Sequence, residues 1–261
     1  MTLTFALFAA LLYSASAACT WRRPGPAEVW LALGALLLHS AALGGQIFQL
    51  GGLSIGLNEA LSLFAWQSAL LLWAFSFRLA LRPLGLAIYP LAGLFALIAA
   101  LVPTPLREAT GDWKVHSHIL LSLLSAGLLT LAAVQALLLA AQERWLHQHE
   151  SPRLMRALPP LQTMEQLLFQ LVAVGFFLLS AALLSGLWFV QDWLAQHLVH
   201  KTVLSVTAWL MFGVLLWGRW RHGWRGRQAL RWALTSYAML LLAYFGSKLV
   251  LEIILHKHWA T

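Results

Sequence analysis

The chain has 261 residues, of which 61% are hydrophobic and 10% charged, with a formal net charge of +8 and a mean hydropathy of +0.75. Soluble domains carry about 25% charged residues, and a water-soluble globule of this size cannot hide so much apolar surface behind so few charges. A soluble enzyme, a disordered chain and a disulfide-built scaffold (Cys19 is the single cysteine) are thereby excluded, leaving an all-α polytopic membrane protein.

A helical crossing takes about 20 mainly apolar residues. Eight segments meet that length in chain order, near 2–19, 29–48, 59–77, 84–102, 116–141, 165–190, 201–218 and 229–254. Their apolar runs are continuous and rich in leucine and alanine, so barrel strands with alternating patterning are a poor alternative. The connecting loops are short, which predicts one integral membrane domain over 1–261. No basic n-region with a small-residue cleavage site precedes span one, so it reads as a crossing and not as a leader.

Charge orients the bundle. The loops after spans one, three, five and seven carry Arg22 and Arg23, Arg78 and Arg82, Arg144, Arg153 and Arg156, then Arg219, Arg221, Arg225 and Arg227. With Arg231 they hold twelve of the 17 basic residues, while Arg107, Lys114, Lys201, Lys248 and Lys257 fall on the other side. This positive-inside bias places both termini outside, in the periplasm of a Gram-negative cell. The stretch from Arg219 to Arg227, with Trp220 and Trp224, reads as an interfacial loop lying against anionic lipid headgroups. Bases stack on tryptophans in other proteins, but this loop between two spans has no domain to present a nucleic acid. Membrane lipid is the expected partner; nucleic acid is not.

Span two holds His39 in Leu36-Leu37-Leu38-His39-Ser40, about 16 Å along a helix starting near Glu28. An ionisable group in hydrocarbon is a functional candidate by default. The structural alternative is a hydrogen bond to a serine or carbonyl of a neighbouring helix. The following loop, Gly44-Gly45-Gln46 to Gly51-Gly52, permits tight turns but lacks the lysine and the strand–helix setting of a phosphate loop. On span three Glu59 and Trp66 share a face. Trp66 offers a flat surface to a planar ligand, or packs against lipid or another helix.

The ten histidines divide by side. His147, His149 and His222 lie in the arginine-rich loops, whereas His116, His118, His197, His200, His256 and His258 fall at the outer boundary. Trp113, Trp193 and Trp259 accompany them. Each alone fits an interface residue; gathered from three segments, they become candidate ligands for a metal or for haem iron. His116 and His118 are two apart and cannot address one ligand from a helix. Haem takes an imidazole on each side of its ring, so His118 with His256, or His118 with His200, are better pairs. Zinc takes three or four ligands within about 2.3 Å, and the sequence has neither an HExxH motif nor a cysteine pair. Lys248 can snorkel to the outer surface, pair with Glu252 four residues on, or balance a haem propionate. The middles of the spans hold no acidic residue, which argues against a proton-driven transporter.

These residues resemble the integral membrane cytochrome c assembly family, which includes CcsA, CcmC and CcmF, and within it the small YpjD-like and HemX-like branch. The similarity runs from about residue 36 to residue 258. It is most specific in His200-Lys201-Thr202-Val203-Leu204-Ser205, Ala208-Trp209-Leu210, Gly223-Trp224-Arg225-Gly226, Ala243-Tyr244-Phe245-Gly246-Ser247-Lys248 and His256. The resemblance implies haem at the outer surface between His118 and His256. It also implies a transmembrane histidine pair, of which His39 matches the first member and Trp217 stands at the second, where an indole cannot ligate iron. Haem synthetases of the family carry a tryptophan-rich segment ending in Trp-Asp-Pro-Lys-Glu. Here the loop from Gln191 to His200 lacks it, so haem-ligating enzyme activity is not expected. The implied function is non-enzymatic haem binding or handling in the bacterial inner membrane, associated with cytochrome c biogenesis. Other membrane or biogenesis proteins are the expected protein partners. The alternatives are a haem-free regulatory or structural partner protein, HemX-like, and then a small-solute transporter.

Overall fold

The computed structural model describes residues 1–22, 25–49, 52–53, 57–77, 81–102, 113–148, 158–189 and 196–246. Among them run eight α-helices: α1 (Thr2–Arg22), α2 (Pro26–Ile47), α3 (Leu57–Ser76), α4 (Gly85–Leu101), α5 (Trp113–His147), α6 (Leu161–Phe189), α7 (Gln196–His222) and α8 (Gly226–Leu241). The glycine-rich loop after α2 forms a minimal antiparallel ladder, β1 (Phe48–Gln49) with β2 (Gly52–Leu53). A 3₁₀ turn, Arg82–Leu84, leads into α4, and a π-helical turn, Leu242–Gly246, follows α8.

Six of these segments are long and apolar enough to cross a membrane: α1, α2, α4 with its 3₁₀ turn, α5, α6 and α7. The other two expected crossings fall short for different reasons. α3 dilutes its apolar character with Glu59, Ser62, Gln67 and Ser68, all buried inside the protein. α8 is described over 16 residues, about 24 Å of rise, it continues into the π-helical turn, and the expected span beyond residue 246 lies outside the described residues.

The chain forms two compact units, Met1–Asp112 with Ala141–Leu167, and Trp113–Ala140 with Leu168–Thr261. In the first, α1 packs on α2 and α4, and α3 packs on the same two helices, closing a four-helix ring. Small side chains make the seams. α1 buries Ala6, Ala9, Tyr13, Ser16, Ala17 and Thr20; α4 buries Gly85, Ile88, Tyr89, Ala92, Gly93, Ala96 and Ala99. Residues three and four apart share a helix face, so each set is one stripe. Leu7, Phe8 and Leu11 on α1 and Leu91 and Leu94 on α4 point outward. Lipid tails are as apolar as leucine, so close backbone approach and dispersion contact hold such helices together.

In the second unit α5 and α6 run antiparallel, with Ser125 Oγ donating to Gly175 O at 3.0 Å and Leu129 packed over Gly175. Trp209 of α7 stacks on Phe176 of α6, centroids 5.6 Å apart, and donates its indole N–H to Ser180 Oγ at 2.8 Å. α8 joins α5 through Thr130 and Tyr237, whose hydroxyls lie 2.7 Å apart.

The α1–α4 seam is the tightest test of this packing. A Cβ at residue 93 would sit 3.0 Å from Ala10 Cα. Gly93→Leu is therefore expected to force the helices apart and cost about 1–3 kcal/mol, seen as a lower unfolding midpoint in detergent. An unchanged midpoint would contradict the seam.

Candidate functional site

His39 is fully buried on α2. Its Nε2 lies 2.9 Å from Ser62 Oγ on α3, and its Nδ1 lies 3.4 Å from the Tyr13 hydroxyl on α1. The Tyr13 ring meets the imidazole edge-on at 5.9 Å and stacks on Tyr89 of α4 at 5.7 Å. Three helices thus converge on one imidazole and a fourth backs it. A neutral imidazole has one donor and one acceptor nitrogen, and here hydroxyls engage both. The serine bond considered as the structural alternative is the one found. Trp66 is half-buried one turn below Ser62 and donates its indole N–H to Leu36 O at 3.1 Å, which ties α3 to α2. Trp73 repeats the device two turns on, to Val29 O at 3.1 Å.

His118, near the start of α5, has a different environment. Its Nδ1 lies 2.9 Å from Ser185 Oγ on α6. Ser185 spends its single hydroxyl proton on Ala182 O at 2.8 Å, so its oxygen faces His118 as an acceptor. Nδ1 therefore carries the imidazole proton, and Nε2 carries the lone pair. Gly186 lies beside the ring: a Cβ there would come within 3.1 Å of His118 Cε1. One turn along α5, Ser122 O accepts a 3.1 Å hydrogen bond from Tyr244, in the π-helical turn after α8. That bond fixes the chain four residues before Lys248 at the His118 end of α5.

The other expected ligands are less fully described. His200 lies in the first turns of α7, its side chain outside the described residues, while Lys248 and His256 lie outside them altogether. Trp217 is exposed on α7 and meets the His222 ring edge-on at 4.9 Å. Among the described residues, no three His, Cys, Asp or Glu side chains gather as a metal cage.

Sequence reasoning missed Tyr13, Ser62 and Ser185 as partners, since each is a common residue on an apolar helix. It also missed the ion pair of Glu28, buried at the start of α2, with Arg82 Nε at 3.4 Å. An acid in the first turn of one span and an arginine at the start of another were the available signal.

A model of the cytochrome c assembly protein family matches residues 30–255. The chain is 33% identical over 270 residues to Inner membrane protein YpjD of Escherichia coli (strain K12), an alignment covering 96% of this chain and 98% of that protein. It is 36% identical over 179 residues to the "Uncharacterized 28.8 kDa protein in nifR3-like 5'region" of Azospirillum brasilense, covering 67% of this chain and 66% of that one. No solved structure matches the chain.

The His39 cluster makes a stability prediction. Ser62→Ala strands an imidazole nitrogen in the bundle interior and is expected to cost about 1 kcal/mol. Tyr13→Phe should cost less, because the bond it removes is the longer one. Thermal unfolding of the purified variants in detergent gives the order, and a larger loss for Tyr13→Phe would reverse it.

Proposed function

Because this chain belongs to the cytochrome c assembly protein family, we propose that it is a non-enzymatic haem-handling protein of the bacterial inner membrane, with haem held at the outer face between His118 and His256. The observation that carries this reading is the hydrogen-bond chain from His118 Nδ1 through Ser185 Oγ to Ala182 O. A histidine that ligates a metal donates its other ring N–H to a nearby acceptor, which orients the ring and raises its basicity. Ser185 and Ala182 supply that acceptor chain, leaving Nε2 as the ligating atom. Haem, when bound, would supply an iron for imidazole ligation, and His118 and His256 would hold it.

The chain's own residues divide the work. Ser185 orients the imidazole, and Gly186 leaves it room. Tyr244, bonded to Ser122 O, lies at the His118 end of α5, and His256 follows it twelve residues on. Lys248 and Lys201 balance the propionates. The arginine bias, read with eight crossings and both termini outside, supports a periplasmic position for this end of α5, and the printed name of the E. coli relative supports the inner membrane.

His39 is a different kind of residue in this reading. Both its nitrogens are engaged and Trp217 stands where a second transmembrane ligand would be needed, so His39 and Trp66 hold helices together and do not contact haem. The loop from Gln191 to His200 lacks the tryptophan-rich motif of haem ligases, so the protein binds or passes haem without attaching it.

The test is an absorption spectrum of protein purified in mild detergent after haem-replete expression. A Soret band of bis-histidine character is expected, lost in His118→Ala and in His256→Ala and retained in His39→Ala. Ser185→Ala should weaken haem affinity about 10–100-fold. A folded but colourless wild-type protein overturns the proposal and leaves the haem-free partner reading in its place.

A further inference from the structure

The turn between α7 and α8 is built rigidly. Gly223 and Gly226 take positive φ, 64° and 54°, a region that glycine enters without steric cost. Gly223 N–H donates to Arg219 O at 3.1 Å and Trp224 N–H to Gly218 O at 3.2 Å, closing the end of α7. The Trp224 indole lies directly over Gly218 and stacks on Trp232 of α8 at 5.7 Å. Arg219 is absorbed by this construction: its Nη1 donates to Trp224 O at 3.1 Å, and its guanidinium lies 4.6 Å over the Phe169 ring.

Arg227 and Arg231 are not absorbed. Both are exposed, and four residues apart they share a face of α8. With Gln228 and the half-buried Trp232 they line an open surface cavity of about 500 Å³. From residue 196 to residue 246 the chain has no Asp or Glu, and among the described residues neither arginine is in an ion pair. Two like charges at this spacing repel, and their sign is wrong for the first turns of a helix, where the backbone dipole is already positive. Both penalties reverse when an anion occupies the cavity.

We propose that the Arg227–Gln228–Arg231–Trp232 cavity binds the phosphate headgroup of an anionic phospholipid. Guanidinium forks match phosphate oxygens in geometry and charge. The surroundings favour a lipid over a free anion. The turn joins two helices of a membrane protein, and exposed Trp220 at the end of α7 together with Trp232 marks the headgroup layer, where tryptophan concentrates. The site lies in the second unit and does not depend on haem.

Thermal unfolding of the full chain in detergent, followed by tryptophan fluorescence, tests this with four additions: phosphatidylglycerol, phosphatidylcholine of the same acyl chains, inorganic phosphate, and none. Phosphatidylglycerol in excess is expected to raise the midpoint by about 5 °C, with no rise from the other two. Arg227→Gln/Arg231→Gln should abolish the rise, and Arg221→Gln, outside the cavity, should keep it. Both arginines are exposed and their charges repel each other, so the double variant is expected to fold with a lipid-free midpoint no lower than that of the unsubstituted protein. An equal rise with phosphatidylcholine, or with inorganic phosphate, overturns the proposal. So does a rise that survives the double substitution or that Arg221→Gln removes equally. If the double variant does not fold, Arg227→Gln and Arg231→Gln singly carry the same test, each expected to reduce the rise.

Discussion

A polar group in hydrocarbon must find its partner inside the protein, because lipid tails supply none. Most of the described architecture follows from that constraint. Ser125 reaches Gly175 O, Trp66 reaches Leu36 O, Trp73 reaches Val29 O, Trp209 reaches Ser180, and Thr130 meets Tyr237. Every one of these bonds joins two different helices. Apolar contact alone gives such helices little reason to prefer one another over lipid, so these bonds and the small-residue seams set which helices meet and at what height. Ser62 of α3 follows the same constraint, buried against His39 Nε2 of α2.

Crossings were legible in sequence where the chain repeats one thing for long enough. Continuous leucine and alanine runs announced eight crossings, and six of them are helices long and apolar enough to span. Contacts were less legible. His39 stood out because a histidine in Leu36-Leu37-Leu38 is conspicuous, yet its partners Ser62 and Tyr13 lie 23 and 26 residues away along the chain. Whether they meet depends on the vertical register of three helices. Contacts such as Gly34 with Leu12 and Gly93 with Ala10 set that register, and no periodicity within one helix reports it.

His39 and His118 are the same residue type and differ in what their partners leave available. At His39 two hydroxyls occupy both nitrogens. At His118 a serine whose own proton is committed to Ala182 O holds one nitrogen as a donor and leaves the other with its lone pair. Ligand capacity is decided at that second partner, one bond beyond the histidine. Sequence spacing selected both residues as candidates; only the hydrogen-bond partners separate an imidazole engaged at both nitrogens from one engaged at a single nitrogen among the described residues.

The arginines show the same division of labour by surroundings. A count of basic residues sorts loops by side and treats each arginine alike. In the fold, Arg82 is spent on buried Glu28 at 3.4 Å, and Arg219 on a carbonyl and a phenyl ring. Arg227 and Arg231 stand together on a helix in a stretch without any acid, so no carboxylate on that hairpin can balance them. The positive charge of these arginines is therefore of two kinds: some of it is engaged within its own unit, and some has no ion-pair partner among the described residues.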